Sequence, residues 1–80
     1  MEREDVLKAL NEIFANVLKE KYLQLDESMS ADDVDGWDSL TNMTIISDVE
    51  KKWGFRFKLH DIVKLHNVGD MIDVITKRGK

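Results

Sequence analysis

The sequence predicts an all-α domain, a four-helix bundle of three longer helices and one short one. Apolar residues recur at helical spacing in three separate stretches. The chain holds only four glycines and no proline, so little interrupts a helix. It has no cysteine either, so 80 residues must be held by helix packing, without disulfides or cysteine-ligated metal. With 42% hydrophobic residues the chain is rich enough for one compact core, and a single domain over residues 1–80 is expected. No internal repeat, low-complexity tract or linker is visible.

The first helix is expected from about Glu4 to Lys19. At about 100° per residue, Val6, Leu7, Leu10, Ile13, Phe14, Val17 and Leu18 fall on one stripe, with Lys8, Glu12, Asn16 and Lys19 opposite. Glu2, Glu4 and Asp5 suit the positive end of its dipole. A long connection follows, from about Lys21 to Trp37, pinned to the core by Leu23, Leu25, Met29 and Val34. Gly36 permits a turn before Trp37.

The second helix is expected from Ser39 to Trp53, stopped by Gly54. Ile45, Ile46, Val49 and Trp53 form its core face, with Asn42 among them. Leu40, Met43, Thr44, Ser47 and Lys51 share the other side, where Leu40 and Met43 are apolar groups the core does not need. The alternation of Phe55, Phe57 and Leu59 reads as an extended connection, since one strand has no partner. A short third helix is placed near Asp61–Leu65. The last helix is capped by Asn67, with Asp70 in a capping-box position, Val68, Met71, Ile72 and Ile75 as its core stripe, and Lys77, Arg78 and Lys80 at its C-terminal end.

The net charge of −4 is unevenly spread. Residues 1–40 carry eleven acids and four bases, residues 41–80 five acids and eight bases. Between Asp26 and Asp38 stand six acids and no base, a segment that repels nucleic acid and attracts basic partners, or is simply a solvated loop. The N-terminus has neither the basic nor the apolar region of a signal peptide, and no apolar run approaches the roughly 20 residues of a membrane span. A cytoplasmic monomer without nucleic acid or membrane partners is expected, and the lack of cysteine fits a reducing compartment.

The informative stretch is Gly36-Trp37-Asp38-Ser39-Leu40. Ser39 stands at a loop-to-helix junction, where free backbone N–H groups and the helix dipole favour an anion. Locally, the stretch reads more readily as an ordinary helix cap by Ser39 or Asp38.

Asp38-Ser39-Leu40 resembles the Asp-Ser-Leu motif of acyl and peptidyl carrier proteins. So do the helix upstream, the long acidic loop, the apolar spacing after the motif, Glu50-Lys51-Lys52-Trp53-Gly54-Phe55 at the end of the second helix, and Asn67-Val68 at the start of the last. The resemblance spans nearly the whole chain and looks like stand-alone carriers of specialised pathways as much as like fatty-acid carriers. It implies that Ser39 receives 4′-phosphopantetheine from coenzyme A through a phosphopantetheinyl transferase, with Asp38 and Leu40 completing the motif. The arm's thiol then holds an acyl or aminoacyl group as a thioester, making a phosphoprotein that is a carrier and not an enzyme. An acyl or aminoacyl ligase and downstream transferases would be its partners. They would meet Trp37, Leu40, Met43, Thr44, Ser47 and Lys51, and Trp37, lying in the loop, is expected to be more exposed than Trp53. In the family a helical core also shelters acyl chains. One departure stands out. Fatty-acid carriers have an acidic second helix, which basic patches on their enzymes meet. Here Thr41, Asn42, Met43 and Thr44 follow Leu40, and then come Lys51, Lys52, Arg56 and Lys58. Dedicated partners are implied.

Other chemistries fit poorly. Asp33-Val34-Asp35-Gly36 matches positions three, five and six of an EF-hand, but Ala31 and Asn42 then occupy positions one and twelve, where carboxylates are needed. Gly36 and Leu40 do not make the Gly-x-Ser-x-Gly elbow of a serine hydrolase. His60 and His66, six apart, fit no metal pair on one helix face. The remaining alternative is an unmodified helical interaction module that docks a partner through Leu40 and Met43.

Overall fold

The computed structural model describes residues 1–79; Lys80, counted above with the last helix, lies outside the described residues. Four helices follow one another: α1 (Arg3–Leu18), α2 (Ser39–Trp53), α3 (Leu59–Val63) and α4 (Val68–Arg78). No strand occurs among the described residues. The all-α four-helix expectation holds. None of the described helices is long and apolar enough to cross a membrane.

The core sits where α1 faces α2 and α4. Val6, Leu10 and Phe14 of α1 meet Ile45, Val49 and Trp53 of α2 and Val68, Met71, Ile72 and Ile75 of α4. These residues lie on the stripes that helical spacing assigns to the core, and burying them is the main source of stability in a domain this size. Leu7, Ile13, Val17 and Leu18 are only partly buried and form the rim of the α1 stripe. α1 ends on Lys19 in a left-handed conformation (φ 57°), and α2 ends on Gly54 (φ 65°), as its position after Trp53 predicts.

The long connection is held by polar contacts as well as by its apolar pins. Leu25 and Val34 are buried; Leu23 and Met29 pack partly against the core. The Asn11 side chain bridges the loop, donating to the Leu23 carbonyl (2.9 Å) and accepting the Leu25 N–H (2.7 Å). The carbonyls of Met29 and Glu27 accept the N–H groups of Val68 and Gly69, both at 2.9 Å, so the loop satisfies orphan donors of the first turn of α4. Arg3 closes the same region. It forms a two-pronged pair with Glu27 (2.5 and 3.3 Å) and a second ion pair with Asp73 (2.6 Å).

α3 begins two residues earlier than the sequence indicates. Asp61 is its third residue, and its carboxylate accepts the Lys58 N–H (2.9 Å), which fixes the helix start at Leu59. The same carboxylate pairs with Arg78 of α4, whose guanidinium also donates to the Arg56 carbonyl (2.7 Å). α3 contains no buried residue, so these polar ties do much of the seating. Before it, Phe55 and Phe57 run in the expected extended connection, 5.0 Å apart and partly packed on the core. In α4 the cap is Asn67, which accepts the Asp70 N–H (2.8 Å). The reciprocal bond of a capping box is displaced by one residue: the Asp70 carboxylate accepts the N–H of His66 (2.9 Å).

Candidate functional site

The site is the junction between the long loop and α2. Gly36 takes φ +84°, a conformation that other residues adopt only at a cost, and turns the chain sharply before Trp37. The Trp37 N–H closes a turn onto the Val34 carbonyl (3.2 Å). Asp38 is the N-cap of α2 and Ser39 its first residue.

Asp38 caps with its side chain. Oδ1 accepts the N–H of Leu40 (3.0 Å) and of Thr41 (2.9 Å), and the Asp38 carbonyl accepts the Asn42 N–H (2.8 Å). Thr41 answers from the third position. Its hydroxyl oxygen accepts the Asp38 N–H (2.9 Å) and its proton goes to the Gly36 carbonyl (2.7 Å). The Thr41 N–H, the largest influence, then the Thr41 hydroxyl and the Leu40 N–H hold the Asp38 carboxyl below the usual aspartate range, with partial desolvation opposing them.

This geometry decides the capping question. Asp38 is the cap, so Ser39 is free of that role and exposed, one residue into a rigid helix start. It also corrects an expectation. The N–H groups of Leu40, Thr41 and Asn42 are already satisfied by Asp38, so the backbone does not offer them to an anion on Ser39. What favours a phosphodiester here is exposure and the helix dipole; the Asp38 carboxylate beside it opposes.

Trp37 is a second correction. It is 8% exposed, no more than Trp53, and lies inside the core instead of on the surface beside Ser39. The left-handed Gly36 turns the ring inward, where it meets Phe14 edge-on at 4.8 Å. Its indole N–H donates to Asn42 Oδ1 (2.9 Å), so nothing polar is left unpaired by burial. Its ring is therefore not part of the surface formed by the other partner-face residues. Of those, Leu40 (80%) and Met43 (59%) are strongly exposed, Thr44 and Lys51 are exposed, and Ser47 is half-buried.

Sequence reasoning missed Thr41 and the partner of Asn42. The Asp-x-x-Thr spacing from Asp38 to Thr41 carries a capping-box signal that identifies the first. A polar residue on a core face, as Asn42 is, signals a buried partner for the second.

No protein-family profile matches the chain, and no curated protein does. Among solved structures, the solution NMR structure of a holo acyl carrier protein from Geobacter metallireducens superposes with a TM-score of 0.80. It is 39% identical, over 90% of this chain and 83% of that one. The chain belongs to the acyl carrier protein family. It is a carrier and not an enzyme. Several of the carrier's loop acids also serve the loop itself: Asp26 accepts the Ser28 N–H (2.9 Å), Asp33 the Ser30 N–H (3.0 Å), and Glu27 binds Arg3.

Proposed function

We propose that this carrier holds acyl or aminoacyl groups on a 4′-phosphopantetheine arm attached to Ser39, in a specialised biosynthetic pathway of the cytoplasm. The observation that supports it most is the exposed Ser39 hydroxyl at the first position of α2, released from capping by Asp38, in a chain of the carrier family. The arm would supply a flexible thiol on which the cargo is held as a thioester.

The chain's own residues do the rest. Ser39 Oγ would give up its proton to a base of the transferase and take the phosphopantetheine phosphate as a phosphodiester, the pyrophosphate bond of coenzyme A breaking to release adenosine 3′,5′-bisphosphate. Asp38 and Thr41 lock the backbone on either side, so Ser39 is carried on a fixed helix start. Leu40, next to it, offers an apolar contact to whichever enzyme takes the arm. The reading of residues 1–80 as one carrier domain, acting as a monomer, belongs to the same proposal.

Incubation with coenzyme A and a broad-specificity phosphopantetheinyl transferase tests it by mass. One phosphopantetheine should be added, on Ser39, and Ser39→Ala should fold yet stay unmodified. Modification of Ser28, Ser30 or Ser47, or of nothing, sinks the assignment. An unmodified protein would favour the interaction-module reading, for which the exposed Leu40 and Met43 are the supporting observation.

A further inference from the structure

Counting the loop residues just before it, and apart from the half-buried Asp48 and Glu50, α2 has acids at its start and bases at its end. At the Ser39 end stand the exposed carboxylates of Asp35 and Asp38. Next come Leu40, Met43 and Thr44, exposed and uncharged. Spacings of three and four continue the stripe through Ser47 to Lys51, about 16 Å along the axis from Leu40 at 1.5 Å per residue. There an open cleft is lined by Ser47, Glu50, Lys51, Gly54, Phe55 and Arg56.

Lys51, Lys52 and Arg56 are exposed at this end. Among the described residues none of them forms an ion pair; the pairs present are those of Arg3, His60 and Arg78. The cleft's single acid, Glu50, is half-buried and already accepts the Phe57 N–H (2.8 Å). Lys51 and Lys52 lie in the last turn of α2, where the helix dipole favours bases, and the Lys52 ammonium stands 5.6 Å over the Trp53 ring; Asp48, one turn earlier and half-buried, forms no ion pair with either, so with Arg56 this end keeps a net positive charge.

Resting on the carrier reading of Ser39, we infer that this face is a polarised docking strip for an acidic protein partner. The partner seats Leu40 and Met43 beside the opening that receives the arm and presents carboxylates about 16 Å further on, against Lys51, Lys52 and Arg56. The order of charges sets the direction of docking. A partner with the opposite polarity is repelled at both ends, at the Asp35–Asp38 end by its acids and at the distal end by its bases. A polyphosphate chain is a poor occupant, because the acidic end repels it.

The test uses the full chain with the arm installed and checked by mass. The probe is an acyl-carrier synthetase that docks its carriers through a basic patch, together with a version in which that patch is changed to glutamates. Thioester formation is followed at low and high salt for wild type and for Lys51→Glu with Lys52→Glu. With the basic-patch enzyme, the reversal should raise kcat/KM about tenfold at low salt, and most of the gain should vanish near 0.5 M salt, where the screening length is only a few ångströms. With the glutamate-patch enzyme the order should invert, wild type loading faster.

Equal rates for both carriers on both enzymes at low salt, or a slower reversed carrier on the basic-patch enzyme, overturns the inference. Circular dichroism checks that the reversed carrier folds. If it does not, Lys51→Gln and Lys52→Gln, which remove charge without reversing it, should shift the rates in the same directions by smaller factors, and unchanged rates in them overturn it equally. A mass that never changes when coenzyme A and transferase are added would instead overturn the carrier reading, before any synthetase is used, and this inference with it.

Discussion

Trp37 shows how one backbone torsion redirects a side chain. A tryptophan in an acidic loop, two residues from an exposed serine, reads as surface because its neighbours are polar. Sequence spacing carries no value for φ, and the left-handed Gly36 is what sends the ring under α1 onto Phe14. A soluble quencher should therefore act weakly and about equally on Trp37 and Trp53, measured with the single-tryptophan variants Trp37→Phe and Trp53→Phe. Trp37→Ala should cost about 3–5 kcal/mol, in the range for deleting a large buried aromatic, and much of a small domain's stability would go with it. Near-surface behaviour, with a loss below about 1 kcal/mol, would mean the ring is not packed as described.

Asp38 acts at the same scale through its charge. Its carboxyl is held below the usual range by the Thr41 and Leu40 N–H groups and the Thr41 hydroxyl, so the folded state binds that proton less tightly than the unfolded chain. A depressed acid contributes stability that is present above its unfolded value and lost as pH falls through its folded one. Asp38→Asn keeps an oxygen acceptor for the cap but cannot titrate. It should be less stable than wild type at neutral pH, because it lacks the contribution of the charge, and the gap should close as pH falls below about 4, followed by denaturant unfolding at a series of pH values. Identical acid sensitivity in the two proteins would show that the cap bonds are not what depresses the carboxyl.

At the scale of elements, α1, α2 and α4 were legible because their apolar spacing, caps and stops agree with one another. α2 runs from Ser39 to Trp53 as read, and the core stripe of α4 is the set Val68, Met71, Ile72 and Ile75. α3 was less so, because five residues with none buried have no stripe to read, and its start depends on Asp61 meeting both Lys58 and Arg78 across the fold. The junction before α2 was legible as a motif but not as a network. Gly36 is the element-level hinge of that network. A Cβ there would meet only Leu18 Cδ2 at an ordinary 3.6 Å, so the cost of Gly36→Ala comes from its positive φ alone. A loss of about 1–2 kcal/mol is expected from thermal unfolding, together with slower addition of phosphopantetheine to Ser39 as the junction loosens. No loss at all would mean the turn accommodates a side chain by changing shape.

For the whole molecule, the weak point is not the core but the closure of a long loop around it. A 20-residue excursion separates α1 from α2, and in a chain without disulfides its ordering entropy must be met by contacts. Arg3 gathers three parts of the chain at once: it lies at the start of α1 and binds Glu27 in the loop, Asp73 in α4 and, through a further N–H, the Gly69 carbonyl (3.3 Å). The Glu27 carboxyl is held below its usual range chiefly by its hydrogen bonds from Arg3, with desolvation opposing. The stability from this pair is therefore present at neutral pH and lost as acid protonates Glu27. Arg3 is partly exposed, so salt weakens the contacts as well. Arg3→Ala should lower the melting temperature at pH 7 and low salt and raise proteolysis within residues 20–36, because the loop loses its tie to α1 and α4. Arg3→Lys, which keeps the charge but not the two-pronged geometry, should recover only part of the loss. The gap between Arg3→Ala and wild type should narrow below about pH 4 and at about 1 M salt. A gap independent of both would assign the effect to the packing of the arginine stem, and full recovery by lysine would show that the charge alone closes the loop.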